Sequence, residues 1–308
     1  MDLNKQSMEN HTVVDHKKIA MRVSTLSIIV NVFLSLFKLI AGIIAHSGAM
    51  ISDAIHSASD VFSTFIVMIG ITLSQKSSDK DHQYGHERFE CIASIILAIL
   101  LLATGIGIGK VGLSAILSGH YETLTVPGLL ALIAAIVSIL TKEWMYWLTR
   151  SAAKEINSGA LMADAWHHRS DALSSIGAFI GILGARLGFP VLDSVASLII
   201  CLFIAKAAYD VFKDAIEKMV DKSCDEDTVN EMTKLILAEE GVLGIDLIRT
   251  RLFGCKIYVD IEIVADGNLT LHESHAIAER VHDDIESHFV DVKHCMVHVN
   301  PAHEASNH

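Results

Sequence analysis

Two stretches of this 308-residue chain carry one pattern, D-A-x-H-x-x-S-D-x-x-S, at residues 53–63 and 164–174. In each, a histidine and an aspartate stand four residues apart: His56 with Asp60, and His167 with Asp171. Residues at that spacing share one face of an α-helix. Each copy would therefore present an imidazole and a carboxylate together. Two such helices set face to face offer two nitrogens and two oxygens, a tetrahedral donor set that suits zinc. Asp53 and Asp164 recur one turn before each histidine. They either steady the imidazoles as hydrogen-bond partners or serve packing and the helix start. His168 directly follows His167 and points elsewhere. Arg169 reads as a boundary residue or as a counter-charge to the carboxylates. A single polar residue of this kind is readily explained as a tie between helices, but a whole motif recurring on separate helices favours a ligand pair. A second hint of metal chemistry is the His-x3-His of His82 and His86 in a polar loop.

The elements that must hold the first four residues are hydrophobic and long. Six candidate spans run over Ile19–Ala45, Gly48–Ser74, Glu90–Leu117, Val126–Thr149, Ala160–Leu187 and Val191–Phe212. A bilayer core needs roughly 20 apolar residues per helix, so these predict a six-helix membrane domain over residues 19–212, after a polar tail at 1–18. The motifs fall in the second and fifth spans, where ionisable residues are expensive and mark a substrate path. Small residues around them (Ala54, Ser57, Ala58, Ser59, Ser63, Thr64, Ser174, Ser175) let the helices approach closely. The fourth span is the weakest, because Thr141, Lys142 and Glu143 interrupt it before Trp144–Leu148 resumes it.

Loop charges orient the set. Lys5, Lys17, Lys18 and Arg22, then Lys76, Lys80 and Arg88, then Arg150 and Lys154, then Lys213, Lys218 and Lys222 lie on one side. The short loops 46–49 and 118–125 lack Lys and Arg, with Arg186 the one exception near that side. The positive-inside rule places both termini in the cytoplasm of a multi-pass inner-membrane protein.

After residue 212 the pattern becomes that of a small soluble domain over 213–300, with a tail at 301–308. Ser223 with Glu226 predicts a capping box opening a helix to about Glu240. Leu247–Phe253 and Lys256–Val264 alternate as strands around Gly254, Thr270 with Glu273 opens a second helix to about His288, and His294–Val299 is a third strand. The order αββαβ predicts a compact α+β sheet with helices on one face. Some 85 residues is small for a lone domain, so a homodimer is expected. From residue 213 onward 20 Asp and Glu stand against 9 Lys and Arg, so this segment carries −11 of the chain's net −12. That charge excludes nucleic acid and suits cations. Five scattered cysteines form neither a disulfide framework nor a zinc ribbon.

With these motifs the chain resembles the cation diffusion facilitators over about residues 15–300, close to bacterial zinc-exporting members. The hallmark of that family is two ligand pairs four apart in the second and fifth spans, where His56/Asp60 and His167/Asp171 stand. The resemblance implies a zinc exporter, with cadmium, cobalt or ferrous iron as further cargo. It matches Asp79, His82 and His86 to a second metal site in the loop after span two. It also implies a metallochaperone-like, ferredoxin-like cytoplasmic domain that dimerises around metal, with Asp246, Glu262, His275 and His298 at the matching positions and Asn300 where some members have an aspartate. Arg88 and Asp221 stand where an ion pair holds the dimer. Metal binding requires a neutral imidazole, so protons and metal compete for one site; alternating access would then make the protein a zinc/proton antiporter. A manganese or iron exporter is the alternative cargo reading, and a non-transporting membrane metal sensor the rival class. An enzyme is not expected, since an intramembrane metalloprotease would want HExxH or a comparable motif, which the chain lacks.

Overall fold

A computed structural model describes residues 2–44, 48–118, 129–186 and 191–302. The side chains of some helical residues, His56 among them, lie outside what is described. The chain divides into two compact units, Met1–Ile216 and Glu217–His308.

Among the described residues the first unit shows six long helices: α1 (Asp2–Ile44), α2 (Gly48–Ser74), α3 (Arg88–Ser118), α4 (Leu129–Glu155), α5 (Gly159–Arg186) and α6 (Val191–Met219). The segment expected as a polar tail continues α1 as helix. α4 runs unbroken through Lys142 and Glu143, which were expected to interrupt it. Among the described residues, His16–Ile40 and Arg88–Ser118 are long and apolar enough to cross a membrane.

Side-chain placement in this unit inverts that of a water-soluble bundle. Phe33, Phe62, Val111, Leu202 and Phe203 are exposed on the outside, whereas Ser27, Asn31, Asp60, Thr64, Lys142, Asp164, His168 and Asp171 are buried. In water this arrangement would leave a large apolar surface uncovered. In hydrocarbon it is the stable one, because polar groups must face the bundle interior. The apolar part of that interior gathers Val67, Ile71, Ala93, Leu97, Ala153 and Leu161 from α2, α3, α4 and α5. Gly70 permits this packing, since a Cβ there would collide with the Cβ of Ala93 on α3.

The second unit is α7 (Glu226–Ala238), β1 (Gly244–Phe253), β2 (Lys256–Ala265), α8 (Leu271–His288) and β3 (Val292–Pro301). The sheet order is β1-β2-β3, with β1 antiparallel and β3 parallel to β2. Val259, Ile261, Ile263 and Ala265 alternate onto one face of β2 and meet Met232 and Ile236 of α7 and Ile277, Val281 and Ile285 of α8 in one core. Both helices therefore cover the same face. Gly254, at φ +65°, makes the β1–β2 turn, a backbone region that favours glycine. α8 opens on the expected capping box between Thr270 and Glu273.

The start of α7 differs from expectation. Its N-cap is Asp225, whose carboxylate accepts from the Thr228 N–H. Ser223 instead bonds the Thr250 hydroxyl at 2.8 Å, a contact to β1.

Candidate metal centres

The helix faces of the repeated motif converge inside the first unit. α2 brings Asp60, and α5 brings His167 and Asp171, all buried. One ligand atom from each of the three lies within 4.8 Å of the others, a spacing open to closure around a single ion. Nε2 of His167 is 3.4 Å from Oδ1 of Asp60. His56 stands one turn before Asp60 on α2; its side chain is outside the described residues.

A fourth charged group lies among these three. The ammonium of Lys142, on α4, donates to Oδ2 of Asp60 at 2.6 Å and to Oδ2 of Asp171 at 2.9 Å, and it is 1% exposed. Counter-charge to the carboxylates was one reading of Arg169. Instead its guanidinium stacks 4.3 Å from the Tyr146 ring centre and sits 3.6 Å from Glu143. Lys142 holds that role. An ionisable residue within a span is a functional hint, but the hint does not name the two carboxylates that Lys142 meets.

Asp164 and His168 form a second buried layer. Oδ1 of Asp164 accepts from the Thr64 hydroxyl at 3.3 Å, and its Oδ2 lies 3.6 Å from Nε2 of His168. His168, set aside in the sequence because it points away from His167, is fully buried, and neither of its ring nitrogens has a hydrogen-bond partner among the described residues. Asp60 itself is steadied by its helix, with Ser63 bonding its backbone carbonyl at 2.7 Å.

The loop after α2 builds a second cluster. Asp79, His82 and His86 each place a ligand atom within 4.8 Å of the others. The loop folds back through a turn at Gly85, whose φ is +100° and whose N–H donates to the His82 carbonyl at 3.1 Å. Oδ1 of Asp79 accepts from the His82 N–H at 2.8 Å, and Oδ2 pairs with the Lys76 ammonium at 2.7 Å. The Lys76 hydrogen bond, followed by the His82 N–H, holds the Asp79 carboxyl well below the usual range. Nδ1 of His86 lies 3.1 Å from the Lys76 carbonyl. A carbonyl only accepts, so Nδ1 carries the proton and leaves the Nε2 lone pair, 3.4 Å from Asp79, free to ligate.

The four positions in the second unit stay apart within one chain. Glu262 and His298 are partners in the β2–β3 register, on the face away from the helices. Asp246 joins them from β1 through Asn300, whose amide donates to Asp246 at 2.8 Å and to Glu262 at 3.3 Å. His275 rides on α8, in the layer covering the opposite face, and is exposed. Among the described residues these four do not form a three-ligand cluster.

Residues 24–220 match the family profile described as the cation efflux transmembrane domain, and residues 224–302 that of the cation efflux protein, cytoplasmic domain. The chain is 36% identical over 276 residues to the uncharacterized transporter YdbO of Bacillus subtilis, covering 90% of this chain and 93% of that one. It is 32% identical over 297 residues to the manganese efflux system protein MneP of the same organism, covering 94% and 99%. With metal tolerance protein C1 of Arabidopsis thaliana it shares 34% identity over 91% of its own length but only 62% of that longer protein. Among solved structures, a cadmium form of a MamM CTD variant is 22% identical, with a TM-score of 0.25, over 25% of this chain and 98% of that one.

Proposed function

Since this chain belongs to the cation efflux family, the cation diffusion facilitators, we propose that it exports a divalent transition-metal ion, zinc before others, through the pocket of Asp60, His167 and Asp171, with His56 as fourth ligand. The observation that carries this reading is the convergence of an imidazole and two carboxylates from two helices within 4.8 Å. A mixed nitrogen and oxygen set of four suits a tetrahedral zinc ion, and cadmium and cobalt share that chemistry.

The exchange follows from the ligands. An imidazole binds metal only when neutral, and ordinary imidazole titrates at about 6.5. A pocket that faces the cytoplasm at one moment and the outside at the next releases metal as it gathers protons, which gives zinc/proton antiport by alternating access. Both termini lie in the cytoplasm in this reading. The loop cluster of Asp79, His82 and His86 holds a second, regulatory or structural ion. The second unit dimerises and closes its metal site, from Asp246, Glu262, His275 and His298, with the help of another copy.

Manganese is the second reading for the cargo. It is favoured by the relatives named as manganese efflux proteins, MneP at 32% and MneS at 33% identity. Manganese prefers oxygen-rich sets, so the histidines weigh toward zinc. The deciding experiment is flux of zinc, manganese and ferrous iron into proteoliposomes of purified protein. Zinc is expected fastest, with Asp171→Ala silent in a folded protein; absence of flux for every ion would overturn the transport reading.

A further inference from the structure

We propose that Lys142 is a tethered counter-cation of the transport pocket: its ammonium holds Asp60 and Asp171 together when no ion is bound, and an incoming metal must displace it. This rests on the transport reading and deepens it. The chain thereby supplies a resident cation that competes with the cargo.

Three observations lead there. The Nζ atom sits between two carboxylates from two different helices, 2.6 Å from Asp60 and 2.9 Å from Asp171, and takes one oxygen of each. The lysine, at 1% exposed, reaches the pocket from α4, a helix that carries neither copy of the motif. Arg169, a further cationic side chain on α5, is engaged instead with Glu143 and Tyr146.

The physical consequence is a charge exchange. Two carboxylates buried at hydrocarbon depth without a cation would be strongly unfavourable. The Lys142 ammonium removes most of that cost from the empty pocket. A divalent ion bound about 2.0–2.2 Å from the same oxygens would stand against the ammonium with no water between them, and like charges at such a distance repel strongly at low effective dielectric. The four-carbon stem and compact head of lysine let it swing aside. Metal binding therefore works against the loss of two charged hydrogen bonds, and metal release is assisted by their return. Lys142 thus lowers affinity and speeds turnover, as export requires.

The test is metal affinity and flux of full-length protein in nanodiscs and proteoliposomes. The background carries His82→Ala and His86→Ala, so that the loop does not contribute. Zinc affinity is read by competition with a fluorescent chelator, and the pocket component is the part lost in Asp60→Ala. Lys142→Met is expected to tighten that component by about tenfold or more while slowing turnover at saturating zinc. Lys142→Arg, which keeps the charge, should stay nearer the parent in affinity. A folded Lys142→Met that binds zinc no tighter than the parent overturns the proposal. Should Lys142→Met fail to fold, the same background is labelled with nitrogen-15 lysine and its zinc-induced infrared difference spectrum recorded. An isotope-sensitive ammonium band that shifts with zinc and reverts with chelator supports displacement; a spectrum with no lysine band refutes it. A parent protein that moves no metal would instead refute the transport reading.

Discussion

The two imidazoles of the loop cluster differ in freedom. His86 is buried and tied through Nδ1 to the Lys76 carbonyl, whereas His82 is exposed. Asp79 stays ionised throughout the neutral and mildly acidic range, because its folded-state value is depressed by Lys76 and the His82 N–H. Acid loss of metal from this loop therefore does not begin at Asp79. Asp79→Asn removes a charged ligand atom and is expected to weaken zinc binding to the loop at neutral pH, as measured by zinc titration. In the pocket, Asp60→Ala should lower zinc flux by about 100-fold or more, since even the outer hydrogen-bond partners of a metal site cost about 10–100-fold. Cys295 makes a contrasting case. Burial, then the neighbouring Glu286 and Asp260 carboxylates, pushes its thiol up to about 12. It should resist alkylation at pH 8 in native protein and react only after denaturation, as mass spectrometry of labelled peptides would show.

At the level of helices and strands, much was legible because periodicity reports directly on burial. The second span is expected and found at Gly48–Ser74, and the Thr270–Glu273 box opens α8 as read. What was missed depended on partners distant in sequence. A hydropathy reading treats Lys142 as a break, because only the folded bundle shows the two carboxylates that make it tolerable inside α4. The Ser223-x-x-Glu226 pattern lost to Asp225 because the Ser223 hydroxyl is drawn to Thr250 on β1. The Asp225 cap carries a pH signature. Hydrogen bonds from Thr228 lower its carboxyl, so its contribution is complete above the unfolded value of about 3.9 and is lost as pH falls through the folded one. Asp225→Asn keeps an acceptor and should flatten that acid limb, measured by hydrogen exchange of the α7 amides. Packing sets the other vulnerabilities. Gly70→Val drives a side chain into Ala93 and should destabilise the α2–α3 contact by about 1–3 kcal/mol. Ile285→Ala empties a fully buried position and should cost about 2–5 kcal/mol in the second unit.

For the whole molecule, the inside-out distribution of polarity in the first unit is what makes it a membrane domain, and the cation efflux profile covers the same region. Zinc flux into proteoliposomes should rise with an outward-directed proton gradient, since zinc enters as protons leave; equal rates with and without the gradient would remove the coupling. The pattern of helix contacts adds a mechanical consequence. Among the described residues α1 packs chiefly on α2 and α4 chiefly on α5, while α1 also meets α4, α3 bridges α2 and α5, and α2 and α5 share a smaller contact. Asp60 belongs to the first pair; Lys142, His167 and Asp171 belong to the second. Whatever sits among those four side chains is thus a rivet between two helix pairs, and exchanging one rivet for another resets how tightly the pairs are pinned at that point.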